Sequence, residues 1–262
     1  MIKVISLFKR KRGTTHEQFR QYYENNHVKI FKDLHGLAGY ERYVRRYLTP
    51  IKRFSPGGSD TADFDVIMEN WFTPELYRRF FESPNPFDAD FLKIVAEDEE
   101  KLFDRTQMFV HNVDEHESSL PSSGVERPGL KKIVTLGRKK PGMSAEEFKD
   151  YYENTHARLV EKYLPTQGVE RYARRYLTPM IDIISGNTPS SGVDIITELW
   201  LSDNALFEKF VAQGTVFDAE ANKILGADAE KFLALDGMVT YTVEERDTVL
   251  AQSGLRAQLD LA

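Results

Sequence analysis

The sequence contains the same module twice, and this duplication constrains the fold more than any other feature. The segments YYENNH and RYVRRYLTP of the first half return in the second half as YYENTH and RYARRYLTP. The copies keep one register, since His27 corresponds to His156 at an offset of 129 residues (156 − 27 = 129). Two copies are too few for a solenoid, which needs three or more units to bury a continuous core. The duplication therefore predicts a fused dimer whose halves face each other across a pseudo-twofold axis.

The duplication also divides the 262 residues into domains of ordinary size. We assign residues 1–113 to a first module and residues 130–245 to a second module. The segment 114–129 is rich in Ser, Pro and Gly and is typical of a linker. The tail 246–262 has leucines at helical spacing, which predicts an additional helix.

The composition favours a globular protein, with 41% hydrophobic and 29% charged residues. A net charge of −6 argues against a nucleic-acid partner, because binding to phosphates requires a positive face. The absence of cysteine excludes disulfides, thiolate catalysis and Cys-based metal sites. The apolar N-terminal run is too short for a signal peptide, and no segment approaches the roughly 18 apolar residues of a membrane span. We therefore expect a cytoplasmic protein with no membrane partner.

Each copy follows the order strand, helix, strand, strand, helix, strand. The opening strands alternate over Lys3–Arg10 and Lys131–Arg138, and the helices after them begin at the N-capping residues Thr15 and Ser144. This order is the ferredoxin-like split motif, in which one face of the sheet remains uncovered by helices. The sequence therefore predicts an α+β fold with two ferredoxin-like βαββαβ modules fused as an intrachain dimeric α/β barrel.

A histidine ends the apolar stripe of the first helix in each copy. Phe19, Tyr22, Tyr23 and His27 recur at the spacing of one helix face, as do their counterparts up to His156. Imidazole titrates near neutral pH, so an inward-facing histidine can take and return a proton without a cofactor. The alternative is a half-buried histidine that binds a backbone carbonyl near the end of the helix.

Tyrosines of the same helix are candidates for binding a developing oxyanion, since a phenol combines a flat apolar body with a donor. Tyr23 and Tyr152 are assigned to catalysis, and Tyr22 and Tyr151 to substrate binding. The alternative for each tyrosine is a place in the hydrophobic core.

The second strand places Tyr43, Arg45 and Tyr47 on one face because strand residues alternate. A guanidinium between two tyrosines is a plausible clamp for a carboxylate or phenolate. An ion pair with Asp65 or Glu69 of the adjacent strand is the alternative, and we favour that structural role. The second copy carries the same set, Tyr172, Arg174 and Tyr176.

Glu69 and Glu198 lie in otherwise apolar strands, so each needs a cationic partner or a raised pKa. We expect them to pair with arginines of the tyrosine-rich strand and keep proton transfer as the alternative. The nearby Trp71 and Trp200 are assigned to substrate binding.

Other polar residues are expected to have local roles. Asp98 and Asp228 are predicted to cap or charge a helix. The histidines without a counterpart in the other copy are predicted to be surface or local residues; they are His16, His35, His111 and His116. No HExxH, P-loop or strand-linked GxGxxG motif is present, so we predict no metal or nucleotide site.

These patterns together resemble the EthD-like members of the dimeric α/β-barrel superfamily. The resemblance rests on RKKPGMSAEEFKDYYENTHARLVEKYLP, the DIITELW strand and the acidic DAEKF segment of the second copy. The first copy departs from it at Arg12, where the family usually has proline, and at Asn70. The resemblance implies relatives that are homodimers of single modules. It also implies activities that include polyketide cyclisation, decarboxylation, dehydration, lactone isomerisation and cofactor-free oxygenation.

With this resemblance, the expected function is a cofactor-independent lyase or cyclase that acts on an aromatic or polyketide-like small molecule by His/Tyr proton transfer. The alternatives are a non-catalytic binding module for an aromatic metabolite and a cofactor-free oxygenase. We expect no cofactor, although some superfamily members bind haem through a histidine. Dimerisation of the fused chain is left open. If only one half is active, the departures at Arg12 and Asn70 favour the second half.

Overall fold

Eight antiparallel strands close into one barrel to which each copy contributes four strands. The computed structural model describes residues 1–31, 39–51, 64–82, 89–120, 129–165, 167–182 and 185–249. The strands of the first copy are β1 (Ile2–Arg10), β2 (Tyr40–Pro50), β3 (Val66–Phe72) and β4 (Phe103–Glu117). Those of the second copy are β5 (Lys131–Gly137), β6 (Val169–Met180), β7 (Ile195–Leu201) and β8 (Val239–Val249). Around the barrel the order is β1-β3-β2-β8-β5-β7-β6-β4.

Helices cover the outside of the barrel. In the first copy they are α1 (His16–Tyr22), α2 (Val28–Ile30), α3 (Pro74–Phe81) and α4 (Ala89–Leu102). In the second copy they are α5 (Ala145–Tyr151), α6 (Ala157–Tyr163), α7 (Asn204–Gln213) and α8 (Ala219–Ala229). The predicted N-caps are confirmed, because Thr15 and Ser144 each form a capping box. Among the helices of the described residues, none combines the length and apolar character needed to cross a membrane.

The predicted α+β fold is confirmed, and the barrel closes through strand pairs that join the two copies. The last strand of the first copy, β4, pairs with β6 of the second copy, and β8 pairs with β2 of the first. Each module therefore completes the sheet of the other. The interface between modules therefore includes two continuous strand pairings within one chain.

These crossing strands extend beyond the predicted ends of the modules. Strand β4 continues to Glu117 because its end pairs with β6, so the first residues of segment 114–129 are strand and not linker. Strand β8 continues to Val249 because its end pairs with β2, so the tail does not begin as a helix at residue 246. Outside the described residues lie 121–128 of the linker and 250–262 of the tail.

The interior of the barrel has an apolar half and a charged half. The apolar half contains Ile5, Leu7, Ile67 and Phe109 together with their counterparts from the second copy. The charged half contains residues of both copies, and the residues at its centre are as well buried as those of the apolar half. The barrel is therefore a packed core, and the space for a ligand has to lie between the barrel and the helices.

Four charged side chains form the centre of the charged half. The guanidinium of Arg46 contacts both Glu69 and Glu198, and Arg175 contacts the same two carboxylates, with 3.4 Å between Arg175 Nη1 and Glu69 Oε1. All four residues are buried. Because Arg46 and Glu198 come from different copies, this quartet ties the modules together across the pseudo-twofold axis.

Candidate active site

Each module encloses a cavity between its helices and the outer face of its barrel strands. The first cavity has a volume of about 120 Å³, and the second cavity about 540 Å³. Lining the first cavity are His27, Tyr43, Met68, Asn70, Phe91 and Glu99. Lining the second cavity are Thr135, Tyr152, His156, Tyr172, Thr197 and Thr240. Each predicted histidine therefore faces a cavity.

A buried aspartate binds the histidine in each module. His156 Nδ1 lies 2.9 Å from Asp228 Oδ2, and His27 Nδ1 lies 2.7 Å from Asp98 Oδ2. A carboxylate is only an acceptor, so Nδ1–H donates and the lone pair of the ring is left on Nε2. Within the described part of the chain, Nε2 of neither histidine has a hydrogen-bond partner. The nitrogen available to a ligand in either cavity is therefore Nε2.

The prediction that Asp98 and Asp228 cap or charge a helix is wrong. Both lie on the buried faces of α4 and α8, where their carboxylates meet the histidine of the first helical segment of the same module. A signal for this was present in the sequence, because Asp98 follows the buried Val95 by three residues and Asp228 follows Leu225 in the same way. That spacing puts an acid on an apolar helix face in both copies.

The helix that carries the histidine contains a π-helical turn, at Tyr23–His27 in the first copy and Tyr152–His156 in the second. Such a turn contains about one residue more than an α-helical turn, which rotates the side chains that follow it around the helix axis. Single π-helical turns are frequent at functional sites. Here the turn directs both the tyrosine and the histidine toward the sheet, where both are buried.

Hydrogen bonds hold the pKa of both aspartates below the ordinary value. Burial raises the pKa of Asp228, but the bonds that it accepts from Tyr151, His156 and Lys231 outweigh burial and hold this pKa below its ordinary value. Asp98 follows the same pattern with His27 and Tyr22. Burial lowers the pKa of His156, and Asp228 opposes that shift only in part. At neutral pH the second module therefore presents an ionised Asp228 and a neutral His156, which is the state of a general base.

Tyrosine hydroxyls lie beside the histidines, and the two copies use them differently. In the second module Tyr172 Oη donates to Tyr152 Oη at 3.3 Å, which leaves the Tyr152 hydroxyl hydrogen for a ligand in the second cavity. In the first module Tyr23 and Tyr43 are 2.8 Å apart, and Tyr23 also donates to Met68 Sδ at 3.4 Å. Burial raises the pKa of Tyr152 to about 12, so its hydroxyl remains a donor at neutral pH.

The remaining predicted tyrosines and arginines do not line either cavity. Arg45 Nε donates to Glu24 Oε1 at 2.9 Å, and Tyr47 Oη donates to the same oxygen at 2.7 Å. Arg174, Tyr176 and Glu153 repeat this arrangement in the second module. Tyr22 and Tyr151 donate to Asp98 and Asp228. The predicted clamp is thus occupied by a glutamate of the π-helical turn, a partner that we did not expect.

Glu69 and Glu198 do not approach the histidines. They point into the barrel, on the face of β3 and β7 opposite to the cavities, and bind Arg46 and Arg175. The expected pairing with arginines of the tyrosine-rich strand is confirmed. Burial would raise the pKa of Glu69, but the two guanidinium groups hold it below the ordinary value.

Trp71 and Trp200 lie on that same inner face and line neither cavity. Lys3 Nζ is 4.3 Å from the ring centroid of Trp71, and Lys132 Nζ is 3.9 Å from that of Trp200. Trp200 Nε1 also donates to Glu198 at 2.9 Å. Their observed contacts are with the charged half of the barrel core.

His111 is a buried residue, so the surface position is wrong for it and the local role is the alternative that applies. Its Nε2 lies 2.9 Å from Ser191 Oγ, and burial lowers the pKa of the ring to about 4. It occupies an interior position of β4, so the alternation of that strand buries it. His16 is exposed, and His116 lies on β4 beside Asp114. His35 lies outside the described residues.

Neither cavity fits a haem with a histidine as its axial ligand. A volume of about 120 Å³ is too small for a porphyrin in the first cavity. Among the described residues that line the second cavity there is no lysine or arginine to bind the propionates. Nor do the described residues contain a cluster of three His, Asp or Glu side chains suited to a metal ion.

Comparison with known proteins agrees with this architecture. A protein described as an anthrone oxidase-like protein has a similar structure, with a TM-score of 0.58 and 16% sequence identity over 96% of this chain and 94% of that one. A "Putative monooxygenase" from Fusobacterium nucleatum subsp. nucleatum has a TM-score of 0.49 and 11% identity over 95% and 94% of the chains. No curated protein sequence matches the chain. The EthD domain matches residues 11–106 and again residues 140–249. The chain therefore belongs to the EthD family and carries two EthD domains in tandem.

Proposed function

We propose that this protein is a cofactor-independent enzyme that takes a proton from an aromatic or polyketide-like small molecule, and that it acts as a lyase or cyclase. The observation that carries the proposal is the buried Asp228–His156 dyad, whose free Nε2 faces a cavity of about 540 Å³. Pockets that bind drug-sized molecules usually measure about 300 to 1,000 Å³. We assign the principal site to the second cavity, since the first, at about 120 Å³, lies below this range.

A dehydration illustrates how these residues would act. His156 Nε2 takes a proton from the carbon next to a substrate carbonyl, and the electron pair of that C–H bond forms an enolate. The Tyr152 hydroxyl donates a hydrogen bond to the enolate oxygen, which stabilises the developing charge. The imidazolium then protonates a hydroxyl group on the neighbouring carbon, which leaves as water and returns His156 to its neutral form. Asp228 stabilises the imidazolium between these steps.

The same enolate accounts for the other two reaction types. In a cyclisation it attacks a second carbonyl of the substrate, and the new alkoxide takes the proton from His156. In a decarboxylation His156 takes the proton of the substrate's carboxylic acid group, carbon dioxide leaves to form the enolate, and the imidazolium returns that proton to the carbon. The dyad and the tyrosine therefore serve all three reactions, and the substrate determines which one occurs.

A cofactor-free oxygenation is the second candidate function. It is favoured by the name of the similar structure, an anthrone oxidase-like protein. An anthrone has an acidic methylene group, and removal of its proton leaves an electron-rich anion that molecular oxygen can oxidise. One oxygen atom would enter the substrate as a carbonyl and the other would leave as water. The first step is again a proton transfer to His156.

The test is a panel of aromatic β-hydroxy ketones, β-keto acids and anthrones, incubated with the protein under nitrogen and under air. Mass spectrometry identifies the product, and an oxygen electrode follows oxygen consumption. A product that is isomeric, or lighter by one water or one carbon dioxide, under nitrogen supports the lyase or cyclase. A product that requires air and consumes oxygen supports the oxygenase. Binding of these compounds without any turnover would contradict the enzyme proposal and favour a binding module.

A further inference from the structure

Three threonines form a row across the floor of the second cavity. Thr135 of β5 is the cross-strand neighbour of both Thr197 on β7 and Thr240 on β8. All three line the cavity opposite the helix that carries His156. Neighbouring strands are about 4.8 Å apart, so the row presents hydroxyl groups across roughly 10 Å of otherwise apolar sheet. We call this set the threonine row.

The threonine row has unused hydrogen-bonding capacity. Thr135 Oγ1 and Thr240 Oγ1 are 2.9 Å apart, so one hydroxyl donates to the other. Each hydroxyl has one donor hydrogen and two acceptor lone pairs. The bonded pair thus keeps one O–H for a ligand, and Thr197 keeps its own, because its side chain has no hydrogen-bond partner among the described residues. Two donors remain, which match two oxygen atoms of a bound molecule.

The first module lacks this row. The corresponding residues are Ser6, Met68 and Val110, all of which line the first cavity. Met68 takes the place of Thr197, and its sulfur accepts the hydrogen bond from Tyr23. The same substitution therefore fills the cavity and occupies the tyrosine hydroxyl that the second module leaves free. The threonine row and the larger volume are found together in one module only.

We propose that the threonine row determines substrate specificity in the second cavity, by selecting ring systems that carry several oxygen atoms along one edge. A site built to hydrogen-bond polar groups discriminates strongly against an analogue that lacks them, because its own buried donors are then left without partners. Aromatic compounds built from ketide units carry oxygen on alternate carbons and so present such an edge. This inference rests on the proposed function for the choice of cavity, but it concerns binding and not turnover.

The experiment measures binding of 1,8-dihydroxyanthraquinone and of unsubstituted 9,10-anthraquinone by tryptophan fluorescence quenching. The variants are Thr197→Val and the double variant Thr135→Val/Thr240→Val, each of which removes one of the two available donors by replacing hydroxyl groups with methyl groups of the same size. Each lost hydrogen bond is expected to weaken binding of the dihydroxy compound about 3- to 10-fold and that of the unsubstituted compound less than about 2-fold. Thr242→Val is the matched control, because Thr242 lies on β8 outside the cavity and should change neither affinity.

A second substitution tests the link to the first module. Thr197→Met introduces the residue found at the corresponding position 68, and it should weaken binding of both compounds by filling the cavity. Circular dichroism and thermal unfolding check that each variant is folded. Equal losses for the two compounds in Thr197→Val and in Thr135→Val/Thr240→Val, or no binding of either compound to the wild-type protein, would overturn the inference.

Failure of the inference and failure of the proposed function are distinguishable. His156→Ala should keep the wild-type preference for the dihydroxy compound over the unsubstituted compound, since the threonine row is intact. If the threonine variants lose selectivity while no substrate is turned over, the row is a binding feature and the enzyme proposal fails. If turnover depends on His156 but the threonine variants weaken binding of both compounds by the same factor, or of neither compound, only the specificity inference fails.

Discussion

Asp228 Oδ2 lies 2.9 Å from His156 Nδ1 in the second module, and Asp98 Oδ2 lies 2.7 Å from His27 Nδ1 in the first. This contact is conserved between two halves of one chain whose cavities differ more than fourfold in volume. The residues that line the two cavities differ, as Met68 and Thr197 do at corresponding positions, whereas the dyad is the same in both modules. A buried aspartate that holds a histidine in one tautomer is therefore kept in both copies of the module.

Replacement of Asp228 by asparagine should reduce turnover without removing the histidine. An amide cannot stabilise the imidazolium and can present its NH2 group to Nδ1, which reverses the tautomer. We expect a loss of about 10²- to 10⁴-fold in kcat, the range for general acid–base catalysis. Tyr151→Phe is the matched control, because it removes another hydrogen bond to Asp228 and should cost less than about 10-fold. Equal activities of D228N and the wild-type protein would contradict the role of the dyad.

The pH dependence of turnover should report the titration of His156. The base must be neutral, and burial lowers its pKa below 6.5, so kcat/KM should rise with pH through a midpoint below 6.5 and level off near neutrality. Asp228 raises this pKa, so the midpoint of the residual activity in D228N should move to lower pH. A midpoint above 7, or an upward shift in D228N, would rule out this assignment of the base.

Removal of one cation from the charged half of the barrel should destabilise the protein strongly. Arg175→Met leaves Glu198 and Glu69 with one guanidinium in place of two. Breaking a buried ion pair by removing one partner costs about 3 to 5 kcal/mol of the free energy of unfolding. The control is Arg158→Met, whose exposed pair with Glu161 is worth less than about 1 kcal/mol. Urea unfolding measures both, and equal stabilities of the two variants would show that the quartet does not hold the barrel together.

Two glycines with the same backbone conformation should differ in their tolerance of alanine. Gly168 and Gly142 have φ angles of +84° and +92°, so alanine at either position costs about 1 to 2 kcal/mol in the left-handed region. At position 168 the new Cβ would also lie 2.7 Å from Asp203 Cβ and 2.9 Å from Leu206 Cδ1, whereas no heavy atom lies within 4 Å at position 142. In urea unfolding, Gly168→Ala should therefore be less stable than Gly142→Ala by about 1 to 3 kcal/mol. Equal losses would mean that α7 moves freely away from this turn.

The duplication, strand alternation and helix spacing were sufficient to predict the fold and the inward position of both histidines. They could not predict how far β4 and β8 extend, because those lengths depend on pairing with the other module. The role of Asp228 was missed for a related reason. A single acid in a mixed helix such as α8 is explained equally well by a local cap, and only its distance to His156 reveals the dyad.

The candidate substrate-binding residues show the same limit. Alternation correctly put Tyr43, Arg45 and Tyr47 on one face, but the partner of Arg45 is Glu24 of the π-helical turn, whose geometry no periodicity indicates. The threonine row could not be predicted from the sequence either. Its members are far apart in sequence and become neighbours only through the register of β5, β7 and β8.

The most direct test of the central claim is deuterium exchange at the C10 methylene of 1,8-dihydroxyanthrone, followed by proton NMR in D2O under nitrogen. Exchange requires only removal and return of a proton, so it does not depend on which reaction follows. We expect the wild-type protein and His27→Ala to accelerate exchange over the solution rate, and His156→Ala to lose at least about 100-fold of that acceleration. Exchange by His156→Ala at the wild-type rate would contradict the account.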